Sequence, residues 1–70
     1  MRRRFVAIPR VTHYELVVDN GEIEERRTYS HDKCEMAAAA FYQAKATAFS
    51  AKVFTYKDDG SSYRSLNFSR

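Results

Sequence analysis

The chain holds only two glycines in its 70 residues, and both close the same kind of tripeptide, Asp19-Asn20-Gly21 and Asp58-Asp59-Gly60. Glycine reaches positive φ angles at no steric cost, and Asn-Gly or Asp-Gly between alternating apolar residues is the strongest short-range hairpin signal. Val11–Val18 alternates as a strand should. Tyr14, Leu16 and Val18 fall on one face, and His13, Glu15 and Val17 on the other. With Asn20 and Gly21 as a two-residue type I′ loop, Val18 pairs with Ile23, Glu15 with Arg26 and Tyr14 with Arg27. That register gathers Tyr14, Leu16, Val18, Ile23 and Tyr29 on one face and sets Glu15 beside Arg26 on the wet one. Around the second turn, residues 51–56 are β-branched and aromatic. Residues 63–68 return with Leu66 and Phe68 in alternation.

Between the hairpins lies a helical segment. From Lys33 to about Ser50 there is no Gly or Pro, and seven alanines raise helix propensity. Asp32 with Glu35 three residues on reads as a capping box that starts it. At 100° per residue Cys34, Ala37, Ala38, Phe41, Ala44 and Ala48 share a face that lies close on a sheet, with Phe41 as anchor. Tyr42 and Phe49 form a flanking stripe beside Lys45. Gln43, Thr47 and Ser50 face water.

Residues 1–10 form a basic arm, with Arg2, Arg3, Arg4 and Arg10, before a single domain over 11–70. Within the arm, Phe5-Val6-Ala7-Ile8 precedes Pro9, so the run extends an edge or packs as an arm. The order β-β-α-β-β predicts an α+β fold: one antiparallel sheet of two hairpins with one helix on one face. The second face stays open. Alternation must turn either Val53 and Thr55 or Phe54 and Tyr56 toward it, and apolar surface left in this way commonly meets a partner or a second copy of the chain.

Composition excludes several classes. A chain this short builds one thin core, yet 44% apolar residues are too many for a disordered tail. No apolar run approaches the ~20 residues that span a bilayer, so no membrane role is expected. The single Cys34 makes no internal disulfide and needs no oxidising compartment, which suits the cytoplasm. Two glycines cannot write a phosphate-binding loop.

No catalytic constellation is legible. His31 and Cys34 are near in sequence, but no third group orients a base, and the helical pattern turns Cys34 toward the core. His31, Asp32, Cys34 and Glu35 offer metal-ligand types without converging spacing, and helix capping accounts for the carboxylates. The expectation is no enzyme, no metal and no cofactor.

Two binding readings remain. For a protein partner, the expected contact residues are Phe54, Tyr56, Tyr42 and Phe49, types enriched at interface cores. For nucleic acid, Arg2, Arg3, Arg4, Lys52, Lys57 and Arg64 supply charge, with Arg70 beside them. Phe54, Tyr56, Tyr63 and Phe68 would offer rings for bases to stack on. Against this, the net charge is only +3 and Asp58 and Asp59 dilute the C-terminal hairpin.

The stretch from Ala37 to Leu66 opens, as far as Gly60, with Ala-Ala-Ala-Ala-Phe-Tyr-Gln-Ala-Lys-Ala-Thr-Ala-Phe-Ser, then Ala-Lys-Val-Phe-Thr-Tyr, then Lys-Asp-Asp-Gly. An Ala-rich helix feeding a Val-aromatic strand and an Asp-Gly hairpin resembles the layout of small accessory proteins encoded by bacteriophages, some of which inhibit host enzymes or defence systems. The likeness spans under half the chain and carries over no functional residue. It implies a compact, non-catalytic regulator or inhibitor that acts in the host cytoplasm by binding and blocking a host protein, with a homodimer as a further expectation. Nucleic acid is the alternative partner.

Overall fold

In the computed structural model, which describes residues 8–70, two antiparallel hairpins meet along their first strands. β1 (Val11–Asp19) and β2 (Glu24–Ser30) form one hairpin, and β3 (Ser50–Lys57) and β4 (Ser62–Ser69) the other. The helix α1 (Cys34–Lys45) connects them. The strand order is β2-β1-β3-β4, so β1 and β3 are central and the whole sheet is antiparallel. This is the expected α+β architecture. The basic residues Arg2, Arg3 and Arg4 and the run Phe5-Val6-Ala7 lie outside the described residues.

The face under the helix carries the core. Leu16, Phe41, Ala51 and Val53 are buried together, and Tyr14, Val18, Tyr29, Ala40, Ala44, Leu66 and Phe68 pack around them. Alternation is resolved by β3: Val53 and Thr55 point to the helix, and Phe54 and Tyr56 point away. Alanines at 37, 40 and 44 let α1 settle on β1 and β3, with Phe41 filling the space between.

Two irregularities decide which side chains share a face. Thr12 is the extra residue of a bulge in β1, and its hydroxyl donates to the Tyr56 carbonyl at 3.2 Å. In β4 the pairing steps from Val53–Leu66 to Phe54–Arg64, leaving Ser65 as the extra residue. The Ser65 hydroxyl donates to the Val53 carbonyl at 3.1 Å and accepts from Thr55 Oγ1 at 3.1 Å. Thr55 is 2% exposed, so this bond satisfies a buried hydroxyl that would otherwise be costly. Directly opposite residues of an antiparallel pair point the same way. The bulge therefore sends Arg64 to the open face beside Phe54, while Tyr63 and Leu66 stay on the helix side.

Several local expectations are corrected. The first hairpin pairs Asp19 with Glu24, Val18 with Glu25 and Leu16 with Arg27, two residues out of step with a two-residue loop. Its connection spans 20–23. Among the described residues only glycines have positive φ, and a type I′ turn would need Asn20 there as well. Asp19 Oδ1 instead accepts the Gly21 amide at 2.7 Å, and the Asn20 amide donates to the Ile23 carbonyl at 3.1 Å. A slip of two preserves the faces, so Glu15 and Arg26 still meet. Ile23 does not join the core; it is 66% exposed.

The helix starts without the expected capping box. Lys33 is the N-cap residue with no side-chain bond, and Asp32 accepts the Ser30 hydroxyl at 2.5 Å instead. It also ends five residues before Ser50. The Phe49 amide donates to the Asp19 carbonyl at 2.8 Å and the Phe49 carbonyl accepts the Arg70 amide at 3.1 Å, so the backbone there already belongs to the sheet. Arg70 then closes the helix C-terminus. Its Nη2 and Nε donate to the carbonyls of Lys45 (2.7 Å) and Ala48 (2.8 Å). A cation satisfying the orphan carbonyls at this end also favours the helix dipole.

The two sheet edges differ. β2 is lined by Glu24–Arg26 and Glu25–Arg27 ion pairs at 2.9 and 2.7 Å. β4 carries a single charged residue, Arg64.

Candidate binding face

The uncovered side of the sheet holds Phe54 and Tyr56 on β3, flanked by His13, Glu15 and Val17 from β1 and by Arg64 from β4. Its geometry is built from a few close contacts. The His13 and Tyr56 rings stack with centroids 4.6 Å apart and planes 9° from parallel. His13 Nδ1 lies 2.9 Å from Thr12 Oγ1. Because that hydroxyl gives its one proton to the Tyr56 carbonyl, the imidazole is the donor in this contact. Tyr56 is also tied at its far end, its hydroxyl donating to Glu15 Oε1 at 3.3 Å. The same carboxylate oxygen accepts from Arg26 Nη1 at 3.1 Å, and Arg26 continues to Glu24. Burial and the Glu15 carboxylate both push the Tyr56 phenol above its ordinary range, with Arg26 opposing.

Stacking and bonding from both ends fix Tyr56 before any partner arrives. An aromatic group held in one rotamer loses little entropy on binding. Val17, at the other end of the face from Tyr56, is only 7% exposed, although it faces away from the helix; the register sets Arg26 and Lys52 on either side. The face is mixed in charge. Arg26, Lys52 and Arg64 share it with Asp19, Glu15 and Glu24 by their strand pairing.

The structure thus brings together Phe54, Tyr56, Lys52 and Arg64. It separates them from the other residues singled out by sequence. Lys57 follows Thr55 on the helix-side alternation, and its ammonium lies 5.5 Å from the Tyr63 ring centroid. Arg70 is engaged at the helix C-terminus and sits over Phe68. The C-terminal basic and aromatic residues are therefore divided between two faces. Tyr42 is 59% exposed on the helix, with Lys45 over its ring, but Phe49 lies past the helix end, so the two form no helical stripe.

A second concave region was not legible from the sequence. A groove of about 340 Å³ runs between the first half of α1 and β4, lined by Tyr14, Cys34, Ala37, Ala38, Tyr42 and Tyr63 among others. Alanines that let a helix approach β1 and β3 leave space over β4, and the periodicity of the sequence does not reveal that off-centre seat. Cys34 is exposed on this groove rather than buried as the helical pattern suggested. It sits at the first helical residue, where the core face has not begun. A hydrogen bond with the Cys34 thiol, then burial, raises the Tyr14 phenol above its ordinary range.

Among the described residues no three His, Cys, Asp or Glu side chains gather as metal ligands would, and no helix is long and apolar enough to cross a membrane. Comparison of the chain with protein-family models, with curated proteins and with solved structures finds no match in any of the three.

Proposed function

We propose that the chain is a non-enzymatic binding module that acts by protein–protein contact through the open sheet face, as a regulator or inhibitor of a host protein in the manner of small phage accessory proteins. Its place of action would be the cytoplasm. The observation that carries the reading is the outward pair Phe54 and Tyr56, with Tyr56 fixed between His13 and Glu15. Pre-ordered aromatics among interspersed charges of both signs suit a protein surface, where aromatic anchors supply energy and charges supply register.

A nucleic-acid reading has one observation in its favour: the Ser65 bulge sets Arg64 beside Phe54 on the face that carries Lys52. Asp19, Glu15 and Glu24 on that face oppose it. The test is capture from a bacterial lysate on the immobilised wild-type chain, on Phe54→Ala/Tyr56→Ala, and on Thr47→Ala as control. A protein retained by wild type and control but lost by the double variant, at unchanged circular dichroism, supports the reading; equal retention by all three refutes it. Anisotropy titrations against labelled RNA and DNA at about 50 and 200 mM salt separate the second reading, since phosphate contacts weaken steeply over that range.

A further inference from the structure

We propose that β4 and the groove beside it accept an extended segment of another protein, a stretch of alternating acidic and apolar residues that adds to the sheet as a fifth strand. This surface is separate from the open face and does not depend on Phe54 or Tyr56. Backbone, groove and charge each point to it.

The backbone comes first. The Lys57 amide donates to the Ser61 carbonyl at 2.9 Å at one end of the β3–β4 ladder, and the Arg70 amide donates to the Phe49 carbonyl at 3.1 Å at the other. Residues of an antiparallel pair alternate between turning N–H and C=O toward the neighbouring strand and turning them away. Counted inward from both ends, Ser62, Arg64, Asn67 and Ser69 turn theirs away from β3. Among the described residues β4 is an edge, so no strand meets them. The Ser65 bulge does not spoil their spacing. Arg64 and Asn67 stand opposite Phe54 and Lys52, two residues apart on β3, so the outward groups keep the step of about 6.6 Å that a regular strand needs.

Side chains of an added strand alternate between the two faces. Those on the helix side would stand over the groove of about 340 Å³ between α1 and β4. Its inner wall is small, Ala37 and Ala38, and the rings on its rim, Tyr42 and Tyr63, are 59% and 51% exposed. Apolar side chains from the added strand would cover both rings. Pockets for alternate side chains, set beside main-chain bonds, are how strand addition gains specificity.

Charge selects the occupant. Arg64 on β4, Lys57 over Tyr63, and Lys45 over Tyr42 and Phe68 bracket the site. None of the three is in an ion pair among the described residues. β4 itself holds no carboxylate. At the turn before it, Asp58 accepts the Arg10 amide and Asp59 the Ser61 amide. A second copy of β4 would bring another Arg64 and no acid to match it, whereas acidic residues alternating with apolar ones answer both the cations and the groove.

The test follows amide hydrogen exchange in the full-length chain by nuclear magnetic resonance, with a synthetic peptide of about seven residues that alternates Leu and Glu. A peptide alternating Leu and Lys is the control. At a peptide concentration about ten times its Kd, strand addition predicts roughly tenfold slower exchange at Arg64, Asn67 and Ser69 and little change at Tyr63, Leu66 and Phe68. Ala38→Phe, which fills the groove, should weaken binding at least about tenfold, and Arg64→Gln about threefold. Thr47→Glu makes the same charge change on the β2 side of the helix and should bind as wild type. Circular dichroism checks that each variant is folded. No slowing at about 1 mM peptide overturns the proposal, as does equal slowing by the Leu–Lys peptide or wild-type binding by Ala38→Phe. Outward amides that slow without peptide as the protein is concentrated overturn it in favour of a second copy.

Discussion

Arg70→Ala isolates one side chain that joins helix, loop and sheet. The guanidinium donates to the carbonyls of Lys45 and Ala48 and stands over the Phe68 ring at 5.2 Å. Hydrogen bonds from a charged donor contribute about 1.5–3 kcal/mol when buried, and these, near the surface, about half that or less. A cation at a helix C-terminus adds ~0.3–1 kcal/mol, and its contact with an aromatic face ~0.5–1 kcal/mol. These contributions overlap, so the expected loss is about 2 kcal/mol, a sizeable part of the roughly 4–10 kcal/mol a domain of this length commands. In a thermal melt that corresponds to a fall in Tm of about 8–16 °C. Arg70→Lys keeps the charge but lacks the planar fork that reaches two carbonyls, and should recover less than half of the loss. An Arg70→Ala variant melting within about 2 °C of wild type would refute the reasoning, as would a lysine variant with wild-type stability.

Three other outcomes follow from the structure. Gly60→Ala places a side chain at φ +87 with nothing within 4 Å to obstruct it, so strain alone should cost about 1 kcal/mol in a denaturant titration. Ultraviolet titration of the tyrosines should show Tyr56 ionising above the ordinary phenol range, and Glu15→Gln should move it down. Since this folded-state value is raised, its stabilising effect is present below the ordinary range and is lost as pH rises through the folded value. Asp59 is held below the ordinary carboxylate range, chiefly by the Ser61 hydroxyl and then by the Ser61 amide. Its contribution is therefore present above that range and lost as pH falls through the folded value. Asp59→Ala should flatten the acid limb of stability against pH, and an unchanged limb would rule the contact out as its cause.

What the sequence made legible was whatever depends on a period. Alternation through Tyr14, Leu16 and Val18 and through Val53 and Thr55 survives a register slip of two, because side chains repeat every second residue. The faces were thus readable although the loop length was not. The turn itself depended on Asp19, whose side chain accepts the Gly21 amide in place of a backbone bond. Helix length was overestimated because propensity counts alanines and is blind to Asp19 and Arg70, distant partners that pull Phe49 into the sheet. Arg64 illustrates the hardest case. Plain alternation would put it with Leu66 and Phe68, and only a bulge, stabilised by a buried threonine hydroxyl, turns it to join Phe54. Of the candidate face, Phe54 and Tyr56 were foreseeable, while the stack with His13 needed the three-dimensional pairing of β1 with β3.

The unlike edges of the sheet give the molecule a polarity. Along β2, acidic and basic side chains are already neutralised by their neighbours two positions on, and any strand added there would have to strip water from four charged groups. β4 offers backbone donors and acceptors with one cation and, beyond the bulge, an unbroken stretch from Leu66 to Ser69. Among the described residues the cost of desolvating charge therefore falls on one edge of the sheet only, and β4 presents the lower electrostatic barrier to an added strand.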